Sequence, residues 1–238
     1  DSTVDICNDL KLKYCDRSID VYVNSVNHGY QRNWNKCIEL CKTRFLVILH
    51  HDDLLYPNAL EKQFKAFETD SNIALVGGKE DFVDINGEMI RRNEVALDIK
   101  YNKFEIYEFV RDANSYIPCS SVMFDMQKIR SVGLFEEYLA TDELYWPRVL
   151  YQYPILILGE SLIRRRVYPD QGTHTQHQGQ IDFALISWLK QLEIVKYEIT
   201  DSRTEKTFRI LNEKIIIQAA SKGIELLFRF DKLGSKYI

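Results

Sequence analysis

The chain has 238 residues, 45% of them hydrophobic and 28% charged, with a formal net charge of −4. That balance suits a globular protein with a good-sized core, excludes a disordered chain, and gives no reason to expect broad binding to nucleic acid. The five cysteines include no C-x-x-C pair, and no apolar run reaches the ~18 residues that span a bilayer, so neither a disulfide framework nor a membrane span is expected.

Asp1-Ser2-Thr3 reads as a cap for a helix over 4–15, and residues 19–24 alternate toward a strand with Val21 and Val23 on one face. Asn27-His28-Gly29 reads as a loop in which Gly29 is free to take a positive φ. A helix is predicted over 31–42, where Trp34, Cys37, Ile38 and Cys41 share a face at spacings of three and four. Phe45 to Leu49 is an unbroken apolar run, too short for a typical helix, and suits a strand buried on both faces. It stops at His50-His51-Asp52-Asp53, and Pro57 then fits the first turn of a helix ending near Glu68. Ile73 to Gly78 is strand-like and ends in a Gly-Gly pair, and Asn86-Gly87 predicts a two-residue hairpin turn within 81–92. A helix over 103–112, a strand over 117–124 with small residues at Cys119-Ser120-Ser121, and a short helix over 127–132 closed by Gly133 follow. Next come a helix over 141–153, stopped by Pro154, and a strand over 155–164. Residues 169–179 form a polar loop with His174 and His177, and the pattern from 181 onward is helical, with stripes such as Phe183, Ile186, Leu189 and Leu192. Strands alternating with helices predict an α/β fold.

In an open α/β sheet, ligands collect beyond the carboxyl ends of the strands. His50, Asp52 and Asp53 stand at such an end and are candidate ligands of a divalent metal. The same residues also suit a polar strand end with an Asp capping the next helix, and both readings stand at this point. Thr141-Asp142-Glu143 is the second acidic site. It opens a helix, where Asp142 would feel the positive end of the dipole, and capping is the simpler reading of it.

The ordered set is more telling than its parts: Asn27-x-Gly29, Asn33-Trp34-Asn35-Lys36, the apolar strand into His-His-Asp-Asp, Pro57, Gly133-Leu134-Phe135-Glu136, then Thr141-Asp142-Glu143 with Arg148 six residues after the Asp. This resembles the family 2 glycosyltransferases over roughly residues 1–175. The resemblance implies a GT-A fold, a Rossmann-like mixed sheet flanked by helices, over 1–178, with a C-terminal helical subdomain over 179–238. It implies an inverting enzyme that moves a hexosyl or N-acetylhexosaminyl group from a nucleotide diphosphate sugar, most often UDP-linked, to a saccharide or lipid-linked acceptor in polysaccharide biosynthesis. Asp52 would bind Mn²⁺ or Mg²⁺ with Asp53 or His50 assisting, and Asp142 would be the general base. Asn27, Gly29, Asn35 and Asp52 would lie near the donor. Trp146 and Arg148 would sit behind the base, Trp146 suiting a sugar platform or the core. Arg166 and His174 belong to a segment resembling the family's lid, with Tyr168 where the family has a His.

Three departures accompany the match. His50 replaces the usual leading Asp, and imidazole suits Mn²⁺ better than Mg²⁺. Thr141 replaces a Glu. The family's first strand is missing, so the chain is expected to be a piece of a longer protein. These departures motivate an alternative, a degenerate sugar- or nucleotide-binding domain without catalysis. A metal-dependent nucleotidyltransferase or phosphohydrolase is a second alternative, although the Gly-rich phosphate loop expected of it is absent from the sequence. A cytoplasmic location is expected, at the inner membrane face if Trp188, Leu189, Lys190 and Lys196 rest on lipid.

Overall fold

The computed structural model describes residues 2–111, 117–137 and 141–169. The segment with His174 and the helical region beyond it lie outside the described residues. Helices α1 (Thr3–Lys13) and α2 (Tyr30–Leu40) come first, then strands β1 (Phe45–Val47) and β2 (Leu54–Leu55) and helix α3 (Ala59–Thr69). Strands β3 (Leu75–Val83), β4 (Met89–Arg91) and β5 (Ile99–Tyr101) precede α4 (Ile106–Arg111). Strand β6 (Met123–Asp125), helices α5 (Met126–Val132) and α6 (Thr141–Gln152), and the long strand β7 (Ile155–Arg166) complete the order.

One mixed sheet holds all seven strands in the order β1-β6-β3-β7-β2, with β4 on β3 and β5 on β7. Strand β3 lies parallel to β7, and the other pairings are antiparallel. Apolar side chains cover both faces. One core joins Trp34, Ile38, Phe124, Phe135, Tyr145 and Trp146, and the other joins Phe67, Ile73, Val76, Leu158 and Leu162. Burial on both faces explains why β3 and the start of β7 read as continuous apolar runs.

Several elements differ from expectation. Residues 19–24 form no strand, and Tyr22 and Val23 are exposed; alternation has no force where no neighbouring strand takes up the backbone hydrogen bonds. Gly77-Gly78 does not end β3 but lies inside it, because a Cβ on Gly78 would stand 2.5 Å from Leu162 Cγ and one on Gly77 2.5 Å from Ile117 Cγ2. The hairpin after β3 exists, but its loop is built around Asp84, whose carboxylate accepts the N–H groups of Asn86 and Glu88 at 2.9 and 2.8 Å. Cys119–Ser121 is a buried 3-10 turn rather than part of a strand. Ser121 Oγ fastens it to Gly78 O at 2.9 Å. Pro57 lies in the turn before α3, one residue ahead of the Asn58 cap.

Candidate active site at the end of the first strand

Strand β1 stops at Val47, and the chain turns through His50 to Asp53 before β2 begins. The His50 ring lies flat on Trp34, with centroids 4.9 Å apart and planes 10° apart, which fixes the imidazole against the core. Ser120, from the buried 3-10 turn, ties the loop together: it accepts the His50 N–H at 3.2 Å and donates to Asp53 Oδ2 at 2.6 Å. Ligand atoms of His50, Asp52 and Asp53 all lie within 4.8 Å of one another. Two buried atoms of this group, His50 Nε2 and Asp53 Oδ1, have no hydrogen-bond partner among the described residues. Burial lowers the His50 pKa and raises that of Asp53, even though the two groups lie 3.7 Å apart and each favours charge on the other. Two carboxylates, one imidazole and two unsatisfied buried atoms form a donor set that fits a divalent transition metal.

Asp142 opens α6 and is 8% exposed. Burial pushes its pKa up from an ordinary 3.8 to about 6, against the pull of the N–H groups of its own helical turn and of Arg165. Cys119 connects the two acidic sites. Burial drives its thiol pKa well up, and Asp142, Cys37 and Asp53 add to the rise. Asp142 and Asp53 therefore both lie within electrostatic reach of one buried side chain.

The other expected site residues have distinct places. Asn27 Oδ1 accepts the Gly29 N–H at 2.9 Å, and Gly29, at φ 82°, is the residue that caps α2. Asn35 exchanges two hydrogen bonds of 2.8 Å with the Phe135 backbone. Trp146 is buried, its indole N–H donates to the Ile117 carbonyl at 3.1 Å, and its ring packs beside Phe124, Phe135 and Tyr145. Arg148 donates to the Leu134 and Val132 carbonyls and pairs with Glu136 at 3.5 Å. Arg166 reaches the Asp52 carbonyl at 3.2 Å, and the Tyr168 hydroxyl donates to Asp52 Oδ2 at 3.4 Å. His174 lies outside the described residues. Trp34, Ser120 and Glu80 were not expected at the site, and Arg165 is one of the three arginines that end β7. Nothing local marks them, since all are brought in by pairing or packing across the sheet.

The profile described as "Glycosyl transferase family 2" matches residues 1–133. The chain belongs to glycosyl transferase family 2. A protein from Rickettsia felis described as an uncharacterized glycosyltransferase is 25% identical over 185 residues, covering 74% of this chain and 31% of its own length. An uncharacterized glycosyltransferase of Methanocaldococcus jannaschii is 26% identical over 155 residues, covering 64% of this chain and 52% of the relative. This family 2 chain thus spans between a third and a half of those relatives. Among solved structures, S. aureus TarS 1-349 in complex with UDP-GlcNAc superposes with a TM-score of 0.64 at 13% identity, over 87% of this chain and 58% of TarS. The mannosyltransferase PcManGT of Pyrobaculum calidifontis, in complex with GDP-Man and Mn²⁺, gives a TM-score of 0.53 at 13% identity, over 99% of this chain and 64% of its own. The fold is that of the GT-A glycosyltransferases. Among the described residues no helix is long and apolar enough to cross a membrane.

Proposed function

We propose that this family 2 chain is the donor-binding and catalytic part of an inverting, metal-assisted glycosyltransferase that uses a nucleotide diphosphate sugar. The observation that carries the reading is the cluster of His50, Asp52 and Asp53, whose buried His50 Nε2 and Asp53 Oδ1 have no partner among the described residues, with the buried Cys119 feeling both Asp53 and the α6 carboxylate of Asp142. Asp52 and Asp53, with His50, would hold a divalent ion. When bound, such an ion neutralises charge on the leaving diphosphate. UDP is the favoured nucleotide, because TarS, a protein of similar fold, is described in complex with UDP-GlcNAc. A hexosyl or N-acetylhexosaminyl group is the matching cargo, and a saccharide or lipid-linked hydroxyl the acceptor.

The chemistry assigned to this chain's own residues centres on Asp142. Its carboxylate takes the acceptor hydroxyl proton while the acceptor oxygen bonds to the anomeric carbon. The bond from that carbon to the diphosphate oxygen breaks, and its electron pair leaves with the diphosphate. Burial makes Asp142 a stronger base than an exposed aspartate while leaving it mostly ionised above pH 6. Ser120 and the Trp34 ring hold the metal-side residues in place and keep water off one face.

Thermal melts with UDP, GDP, CMP or TDP, each with and without Mn²⁺, test this reading. A nucleotide at a hundred times its dissociation constant adds about 2.7 kcal/mol. One nucleotide is expected to raise Tm by several degrees, and only with Mn²⁺ in full. Asp52→Ala should lose the Mn²⁺-dependent part, whereas Asp142→Ala should keep it and lose transfer. Full transfer by both variants would show the assignment to be wrong.

A further inference from the structure

Strand register gathers charge at this end of the sheet. Strand β2 pairs with β7 so that Leu54 faces Arg164 and Leu55 faces Ile163. One more step of that register sets Arg165 across from Asp53. The next step sets Arg166 across from Asp52, where the Arg166 Nε–H meets the Asp52 carbonyl. On the other side of β7, Glu80 pairs with Ile163, two residues before Arg165. Cross-strand partners and residues two apart share a face. Asp53, Glu80 and Arg165 therefore project on the same side, and Arg165 Nη1 donates to Glu80 Oε1 at 3.3 Å. Glu80 is 6% exposed, and its Oε2 has no partner among the described residues. Its neighbour Asp81 is different: the Tyr56 hydroxyl, the Ser161 hydroxyl and the Asn93 N–H all donate to its carboxylate.

Arg165 also acts on the other half of the site. Its charge favours the ionised form of Asp142 on α6. A guanidinium on the Asp53 side of the sheet, at the strand end where ligands collect, is placed to meet a donor's diphosphate. The surrounding acids repel a diphosphate, and one divalent ion does not cancel all of that charge. Arginine presents five donors in a rigid fork matched to phosphate, and a fork already held by a buried carboxylate loses little freedom on binding.

We propose that Arg165, braced by Glu80, is a second cation of the donor site, taking a phosphate oxygen of the nucleotide diphosphate beside the divalent ion. The inference rests on the nucleotide-sugar reading above. Glu80 is then a positioning residue, which aims the fork without touching the donor. Nucleotide affinity has a metal-independent share that belongs to Arg165.

The test is titration calorimetry of the full chain with UDP and with GDP, in Mn²⁺ and in EDTA. In Mn²⁺, Arg165→Gln should weaken nucleotide binding about ten- to a hundredfold, the value of a charge-assisted hydrogen bond. Arg165→Lys should recover part of it. In EDTA the wild-type chain should retain weak binding that Arg165→Gln lacks and that Glu80→Gln, with the fork no longer aimed, keeps only in part. A second readout guards against simple loosening of the fold: the Asp142 carboxyl titrated by ¹³C NMR without nucleotide. Asp142 is faced by Arg165 from β7, by Cys119 from the 3-10 turn and by the N–H groups of its own turn. Its midpoint should rise in Arg165→Gln and fall in Glu80→Gln, where the guanidinium charge is no longer offset. Wild-type affinity in Arg165→Gln under both conditions would overturn the inference alone. A wild-type chain that binds neither nucleotide with Mn²⁺ would overturn the nucleotide-sugar reading and the inference with it.

Discussion

Asp142 is held almost out of water in the first turn of α6, and the burial that makes it a stronger base also makes its charge costly to the fold. Its folded pKa, about 6, lies above the unfolded 3.8. The stabilisation linked to this group is therefore complete below pH 3.8 and lost as pH rises through 6. Above that, the buried carboxylate costs the native state about 3 kcal/mol, taking 1.36 kcal/mol per pKa unit. Asp142→Asn removes the charge and keeps an oxygen for the helical N–H groups. It should melt several degrees above wild type at pH 8 and close to wild type at pH 4.5, as followed by circular dichroism. The same variant should lose about 10²- to 10⁴-fold in transfer rate, the usual worth of a general base. A variant that is no more stable at pH 8 would mean that Asp142 is solvated and ionises freely. His50 is positioned by another means. Its flat contact with Trp34 and the Ser120 bond to its N–H set the ring by packing, so aromatic contact carries out what a second acid would have done with charge.

At the scale of elements, helix α2 and the segment after α5 are joined through one side chain. Asn35 donates to the Phe135 carbonyl and accepts the Phe135 N–H, both at 2.8 Å, while the Phe135 ring touches Trp34, Tyr145 and Trp146. Asn35→Ala leaves two backbone groups without partners and should cost about 2–3 kcal/mol, seen as a lower urea midpoint at unchanged slope. Asn35→Asp should also destabilise, because a carboxylate cannot donate to the carbonyl. No change in either variant would mean that water replaces the bridge. Contacts of this kind set the limit of what the sequence reveals. The helices α2, α3, α5 and α6 were legible because their apolar spacing and caps are local, as with Gly133 at φ 93° closing α5. The run from Phe45 was legible as a strand, but it is not buried on both faces: β1 covers only Phe45–Val47, is half-buried, pairs antiparallel with β6 alone among the described strands at the sheet edge, and leaves Leu49 exposed, because an apolar run does not show how many neighbours the strand will have. The Gly77-Gly78 pair misled, since a glycine demanded by close packing against Ile117 and Leu162 looks the same in sequence as one demanded by a turn. The stretch at 19–24 misled for the converse reason: alternation makes a strand only when a partner strand stands beside it. Glu80 and Arg165 lie 85 positions apart and meet only through the parallel register of β3 and β7, which no local pattern encodes.

At the scale of the whole molecule, the buried acids among the described residues divide into two populations with opposite linkage to pH. Asp53, Glu80 and Asp142 surround the proposed donor site, and in each burial outweighs the favourable partners and raises the pKa. Asp81 and Asp125 hold the scaffold. Burial works against their ionisation too, but Ser161, Tyr56 and the Asn93 N–H for Asp81, and Lys128, the Gln127 N–H and Arg44 for Asp125, outweigh it and lower the pKa. The scaffold acids contribute stability that is present above the unfolded value of 3.8 and is lost as pH falls through their lower folded values. The site acids do the reverse, losing their contribution as pH rises through their raised values, about 6 for Asp142. His50, with its pKa lowered from 6.5, is a single group opposing the three site acids. Metal-free protein should accordingly be most stable at about pH 4 to 5, where the scaffold acids are ionised and the site acids are still largely protonated, and should weaken as pH rises through 6 toward 8. A divalent ion needs its ligands deprotonated, and it relieves the repulsion that grows as they ionise. Mn²⁺ should therefore raise Tm more at pH 8 than at pH 5, flattening the alkaline decline. Melting curves from pH 4 to 9 in EDTA and in Mn²⁺ distinguish this from a protein without such a site. If stability in EDTA climbs steadily to pH 8, or if Mn²⁺ gives the same increment at every pH, the raised acids are not gathered around a cation site, and both the metal assignment and the role given to Asp53 fall.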